Sequence, residues 1–228
     1  MGLLLWLLKL FVESSAKYFV PHLFAAFKHQ HPEVNLQLTV VNRAQAVRRL
    51  SDNRDDLVIM SMVPQDMGLE FLPFLNNPII AVAPPGHPLG QRESLRLQDL
   101  EPYTLLMREQ GSGTRMACEE YFKEKRVHFT QTLEVASTDA QRECAVAGLG
   151  VALLTRHAVS LELATGLLRE LAVDELPLYR SWCVVQAKAK RLSPVAHAFL
   201  GFIRSERLLI SAMVERFDGH LPLMPANN

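Results

Sequence analysis

The sequence has few of the residues that usually announce chemistry. Its three cysteines, Cys118, Cys144 and Cys183, are far apart, and no two form a Cys-x-x-Cys. That excludes a zinc ribbon and a dithiol redox motif, and it fits structural thiols in a reducing compartment. An excess of one charge is also lacking, since 24 Lys and Arg balance 24 Asp and Glu for a formal net charge of zero. A nucleic-acid-binding surface ordinarily carries a basic excess, so the balance argues against one within these residues. The apolar opening Met1-Gly2-Leu3-Leu4-Leu5-Trp6-Leu7-Leu8 is too short to span a bilayer and is interrupted by Lys9. It has no positive leader and no clear small-x-small cleavage site, so it reads as the entry to a strand rather than a signal peptide.

Catalytic signatures are missing as well. There is no Gly-x-x-x-x-Gly-Lys-Ser/Thr phosphate loop, no Gly-x-Ser-x-Gly elbow and no His-Glu-x-x-His metal pair. The turn Gly111-Ser112-Gly113-Thr114-Arg115 is not a dinucleotide fingerprint, because position 116 is methionine. Ser14, Ser112, His157 and Asp139 supply the residue types of a hydrolytic triad, but nothing in their spacing places them together. His87 lies in a Gly86-Pro88 turn with no second ligand at metal-binding spacing. Asp55-Asp56 reads as the solvated entry to a strand. The expectation is no catalytic residue, no metal and no cofactor: a protein that is not an enzyme.

With 49% apolar and 21% charged residues in 228, the chain is an ordinary globular protein. What it does have is a repeated local pattern. Leu7-Leu8-Lys9-Leu10-Phe11-Val12 is an apolar strand that ends in Glu13-Ser14-Ser15. A helix-like stretch follows to Gln30, with Val20, Leu23, Phe24 and Phe27 on one face. Pro21 within it predicts a short turn before the helix proper. Residues 34–41 alternate as a strand and close on Asn42-Arg43, and residues 55–61 form a buried strand ending in Ser61. Residues 70–75 read as a strand broken by Pro73, and 78–83 as a separate one. The pattern returns at 103–107 before the Gly111-Ser112-Gly113-Thr114-Arg115 turn, where Thr114 caps or begins a helix. It recurs at 133–136 before Ser137-Thr138, and at 151–154 before Thr155. Residues 167–171 and 176–185 are the last strand-like runs, and Ser193-Pro194 starts a helix.

Strands alternating with helices imply an α/β fold whose ligand edge lies at the carboxyl ends of parallel strands. Two crossings divide the chain into two Rossmann-like lobes joined by a two-strand hinge. Residues 1–83 and 185–205 make lobe 1, 84–184 lobe 2, and 206–228 a C-terminal extension. Strand-end hydroxyls and helix N-termini on both lobes favour a small anion in the cleft, helped by Arg43, Arg115, Arg142 and Arg156. Ordinary helix caps and surface arginines would produce the same pattern.

One ordered set of motifs goes further. Ser14-Ser15-Ala16-Lys17-Tyr18-Phe19-Val20-Pro21 is followed by Leu23-Phe24-Ala25-Ala26-Phe27, His31-Pro32 and Leu57-Val58-Ile59. After these come Pro85-Gly86-His87-Pro88-Leu89, Gly111-Ser112-Gly113-Thr114-Arg115 and Ala147-Gly148-Leu149-Gly150-Val151-Ala152-Leu153-Leu154. In this order they resemble the effector-binding domain of LysR-type transcriptional regulators over residues 7–205. The first segment and Asn42-Arg43 are most similar to the CbbR-type regulators of Calvin-cycle carbon fixation genes.

The resemblance implies a periplasmic-binding-protein type II-like fold that binds a small-molecule effector: a phosphorylated sugar, a phosphoglycerate-type metabolite or NADPH. It places the effector against Ser14, Ser15, Asn42, Arg43, Ser61, Gly111, Ser112, Gly113, Thr114, Arg115, Thr138 and Thr155. Ser14-Ser15 departs from the Thr-Thr often found there. The resemblance also implies a cytoplasmic homodimer with no membrane association, pairing through the regions of Leu23–Phe27 and Leu36–Val40, and a tetramer for the complete regulator. DNA would be contacted only through an N-terminal winged helix-turn-helix that this chain does not carry. The rivals are a secreted solute-binding protein of the same bilobal physics and an enzyme using the interlobe cleft.

Overall fold

In the computed structural model, residues 7–52 and 55–217 are described. The apolar opening at 1–6 and the tail from 218, including the end of the expected C-terminal extension, lie outside them.

The first half is built from β1 (Leu7–Glu13), a 3-10 turn (Ser14–Tyr18), α1 (Val20–Gln30), β2 (Asn35–Val41), α2 (Arg43–Ser51) and β3 (Leu57–Met60). β1 pairs in parallel with β2, from Leu7 opposite Asn35 to Glu13 opposite Val41, and with β3 on its other side. The expected parallel set is therefore present. Pro21 sits in the first turn of α1, where a missing N–H costs nothing, and the 3-10 turn before it is the short turn that Pro21 predicts.

β4 (Leu69–Ala83) then runs for 15 residues. The sequence divides this stretch into strands at 70–75 and 78–83, and the structure corrects that to one. Pro73 falls at a register irregularity between Pro73 and Leu75, where its missing donor interrupts no regular ladder. The second half follows as β5 (Leu105–Arg108), α3 (Gly113–Lys125), β6 (Thr132–Val135), α4 (Thr138–Val146), β7 (Val151–Thr155), α5 (Ser160–Thr165) and β8 (Arg169–Glu170). The strand expected at 167–171 is thus only a two-residue pairing against the end of β4. β9 (Leu178–Ala187), α6 (Pro194–Ser205) and α7 (Arg207–Phe217) complete the chain.

All strands belong to one mixed sheet in the order β2-β1-β3-β9-β4-β7-β5-β6, with β8 beside β4. β4 and β9 are antiparallel over most of their length, from Leu69 opposite Ala187 to Ile79 opposite Leu178. A parallel three-stranded set flanks this pair on each side. Alternation along each strand divides the cores: Leu57 and Ile59 pack with β1, α1 and α6, while Val58 and Met60 face Ala46 and Leu50 of α2. On β4, Phe74 and Leu75 belong to the first half's core and Ile79, Ala81 and Ala83 to the second's. On β9 the change falls between Leu178 and Trp182. The first core is aromatic, with Phe27 edge-on to Phe199 at 5.1 Å and Phe19 at 5.4 Å from Trp182. The cysteines are free, and burial pushes the Cys118 thiol up to about 12 and Cys183 up to about 11, so both stay protonated. Among the described residues no helix is long and apolar enough to cross a membrane.

Two glycines separate packing from propensity. A Cβ on Gly150 would lie 2.3 Å from the Thr104 carbonyl oxygen, whereas one on Gly201, inside α6, meets nothing within 4 Å. Gly150→Ala should lower stability by about 1–3 kcal/mol through forced backbone displacement. Gly201→Ala should raise it by about 0.5–1 kcal/mol. Urea unfolding midpoints of the two variants check both signs.

Candidate functional site

Within each half the parallel strands end on the side that faces the other half, and a helix starts just beyond most of them. Asn42, after β2, caps α2. Its side chain accepts from the Gln45 N–H at 3.0 Å, and Gln45 Oε1 accepts from the Asn42 N–H at 3.1 Å. Ser112 caps α3 and Thr114, expected to cap or begin that helix, lies in its first turn, while Ser137 caps α4. These caps hold three helix N-termini at the edge where open α/β sheets bind ligands.

The two halves touch there. The Ala44 N–H donates to the Gly111 carbonyl at 3.1 Å. Gly111 has φ +86°, and a Cβ on it would come within 2.9 Å of the Ala44 Cβ, so this close approach requires glycine. A second bridge is polar: Asp139, in the first turn of α4, pairs with Lys17 Nζ and accepts from the Tyr18 hydroxyl at 2.7 Å. A third is aromatic, Phe19 lying 6.0 Å from the His157 ring. His157 Nε2 is itself 3.1 Å from the Asn76 carbonyl.

Of the expected site residues, Asn42 and Gly111 meet across the halves, the Asn42 Nδ2 lying 3.9 Å from where a Gly111 Cβ would be. Ser112, Gly113 and Thr114 are buried at the start of α3, and Thr138 at the start of α4. Thr155 ends β7 at 1% exposure, and its Oγ1 has no hydrogen-bond partner among the described residues. The backbone of Ser14 and Ser15 forms the 3-10 turn after β1, but their side chains lie outside what is described. Ser61 is half-buried in the bend after β3. Arg43 donates from Nε to the Met62 carbonyl at 2.6 Å.

The other arginines are occupied. Arg115 donates to Glu119 at 2.7 Å and Glu134 at 2.6 Å, and the bond to Glu119 raises its already high pKa against the effect of burial. Arg142 lies 3.0 Å from Glu162, and Arg156 lies 2.5 Å from Glu170. Each ties one element to another.

Sequence reasoning missed three participants. Lys17 and Tyr18 lie 122 and 121 residues from Asp139, a separation that no local pattern bridges. The third is Arg108. The expected strand stopped at Met107, but β5 continues to Arg108, whose side chain is 3% exposed. Its Nε donates to Glu109 Oε2 at 2.8 Å and its Nη2 to Glu109 Oε1 at 3.0 Å, while Nη1 contacts Thr138 Oγ1. A cation closing an apolar strand just before a glycine turn was the signal available.

Two α/β halves hung on one antiparallel strand pair, with their strand ends turned toward each other, form the architecture of the periplasmic-binding-protein type II class. Within it, the chain belongs to the family described as the LysR substrate binding domain, which matches residues 7–207. It is 37% identical over 196 residues to the HTH-type transcriptional activator CmpR of Synechocystis sp. PCC 6803, covering 86% of this chain and 64% of that protein. To the RuBisCO operon transcriptional regulator of Allochromatium vinosum it is 38% identical over 199 residues, covering 87% of this chain and 66% of the relative. The chain thus spans about two thirds of the length of these relatives. Among solved structures, the CcmR regulatory domain of Synechocystis PCC6803 in complex with 2-PG (2-phosphoglycolate) superposes with a TM-score of 0.83 at 34% identity, over 87% of this chain and 96% of that one. The effector-binding domain of QuiR in complex with shikimate, 22% identical with a TM-score of 0.79 over 90% of this chain and 98% of that one, shares the fold.

The Asp139 bridge is a charged contact between the halves. Burial opposes ionisation of Asp139, but the bonds from Lys17 and Tyr18, with the Lys17 and Arg142 charges, outweigh it and hold the carboxyl below the usual carboxylate range. Burial, then the bond to Asp139, pushes the Tyr18 phenol well above its ordinary value. The stabilisation is therefore full above the unfolded aspartate value of about 3.9 and is lost as pH falls through the lower folded value. Asp139→Asn should speed amide exchange across residues 17–19 by up to about fivefold, the scale of a partly exposed ion pair. It should also remove the acid-side loss of protection, measured against the intrinsic exchange rate at each pH. Unchanged exchange would show that the pair does not hold the halves.

Proposed function

We propose that the chain is the effector-sensing part of a cytoplasmic LysR-type transcription regulator of carbon fixation genes, and that it binds a small phosphorylated acid between its halves. The carrying observation is the meeting of both halves at their helix-bearing strand ends. The 34% identity to a regulatory domain solved with 2-phosphoglycolate supports the choice of ligand class. Three helix N-termini, buried hydroxyls at Ser112, Thr114, Thr138 and Thr155, and arginines near the edge favour an anion. Phosphoglycerate-type acids, phosphorylated sugars and NADPH share that chemistry with 2-phosphoglycolate.

In this reading the ligand lies against Ser14, Ser15, Asn42, Arg43, Ser61, Gly111, Ser112, Gly113, Thr114, Arg115, Thr138 and Thr155. The halves turn about β4 and β9, where core membership changes near residues 75–79 and 178–182. The working lobe bounds remain 1–83 with 185–205, and 84–184. Closure is transmitted to DNA by a winged helix-turn-helix elsewhere in the complete regulator, which works as a dimer or tetramer. The domain senses its ligand without transforming it.

Calorimetric titration with 2-phosphoglycolate, 3-phosphoglycerate, a sugar bisphosphate and NADPH tests the reading, and the absence of heat with all four would overturn it. Thr155→Val separates site from scaffold. Its hydroxyl has no hydrogen-bond partner among the described residues, so stability should hold or rise. The phosphorylated ligand should bind about tenfold more weakly if it accepts from that hydroxyl through a charge-assisted bond. Equal affinity would remove Thr155 from the site.

A further inference from the structure

We propose that Arg108 is the cation that anchors the ligand's anionic group, and that the Glu109 carboxylate now on its guanidinium is an internal stand-in that the ligand displaces. The inference rests on the ligand-sensing reading and names the group by which that site selects its ligand. That ligand is a phosphate monoester, or another oxyanion with two oxygens free to meet a guanidinium fork.

A buried guanidinium needs a counter-charge, because burying a lone charge is costly. Arg108 is 3% exposed, and the strand behind it is apolar, with Leu105 and Leu106 both buried. The kind of partner is informative. Arg115 joins α3 to β6, Arg142 joins α4 to α5 and Arg156 reaches β8, so each of those pairs holds separate elements together. Among the described residues, the carboxylate that Arg108 meets is instead that of its own sequence neighbour, whose side chain is 19% exposed, and Thr138 is a further, uncharged contact. An ion pair between adjacent residues restrains little of the fold. Its two parallel bonds, 2.8 and 3.0 Å, fill the fork that a carboxylate or phosphate takes.

The position agrees. Arg108 also contacts Thr138, the residue before Asp139, which bridges to Lys17 and Tyr18 of the other half. Three residues beyond Arg108, Gly111 accepts from Ala44 of that half. The guanidinium therefore lies between two points where the halves touch, beside the N-termini of α3 and α4, whose dipoles favour negative charge. β5 and β7 run in parallel with Leu106 opposite Ala152. Thr155, whose buried hydroxyl has no hydrogen-bond partner among the described residues, ends this neighbouring strand. The arrangement thus holds a negative charge that the chain itself supplies until a ligand replaces it.

The test is calorimetry on the full chain with two probes, inorganic phosphate and 2-phosphoglycolate. Glu109→Gln removes the competing charge and should tighten both by roughly tenfold, the scale of one like charge a few ångströms away. Arg108→Lys keeps the charge but loses the fork and should weaken both by about tenfold. Arg108→Met should weaken them by about thirtyfold or more. The first two variants decide the matter if the third fails to fold. Affinity that is unchanged or lower in Glu109→Gln, or unchanged in Arg108→Lys, overturns the proposal. If the wild type binds 2-phosphoglycolate while these variants match it, the sensing reading stands and the anchor falls. If the wild type binds none of the phosphorylated metabolites, but Glu109→Gln gains phosphate binding that Arg108→Lys/Glu109→Gln lacks, the anchor stands and the choice of metabolite falls.

Discussion

The antiparallel pairing of β4 with β9 is the constraint on which the rest of the structure depends. These two strands pass through both halves, and the parallel sets β2-β1-β3 and β7-β5-β6 lie to either side of them. Because the pairing runs from Leu69 opposite Ala187 to Ile79 opposite Leu178, broken only by the irregularity between Pro73 and Leu75, each half is fixed to the same backbone and their strand ends must face each other. Core packing changes hands along these strands, so relative movement needs only small dihedral changes where neither core grips them. A two-strand connection permits closure and resists shear.

The charge balance of the sequence has a structural counterpart. Arg49 with Asp55, Arg115 with Glu119 and Glu134, Arg142 with Glu162 and Arg156 with Glu170 satisfy most of the strongly placed cations within the molecule. A zero net charge is what results when arginines serve as internal ties. The anion affinity expected from a count of arginines near the strand ends therefore rests on fewer groups than the sequence offers. In the proposed reading, backbone N–H groups at three capped helices and buried hydroxyls would carry more of it.

Much of this fold was legible. Alternation marked β2 and apolar runs marked β1 and β3, Ser137 and Ser193 announced their helices, and the proline at position 21 placed the start of α1. β4 was not legible as one strand, because Pro73 and Pro78 punctuate it like a turn. A strand tolerates both when one falls at a bulge. Of the two roles open to Thr114, capping or beginning α3, it has the second, because the Ser112 side chain, two residues closer to the preceding turn, reaches the Arg115 N–H. The polar bridge at Asp139 was hidden by sequence distance, and Arg108 by a strand boundary one residue short. The resemblance of the motif order to LysR-type effector domains supplied what periodicity lacked, namely the family to which the two-lobed pattern belongs.

Trp182 occupies an unusual place in this scheme. It lies on β9 next to the changeover between cores, with its ring 5.4 Å from Phe19 and its indole nitrogen buried without a hydrogen-bond partner among the described residues. Phe19 in turn touches His157 of the opposite half. Trp6 lies outside the described residues. The buried Trp182 indole is expected to emit at short wavelength, and a change in the contact between the halves would reach it through a single phenylalanine.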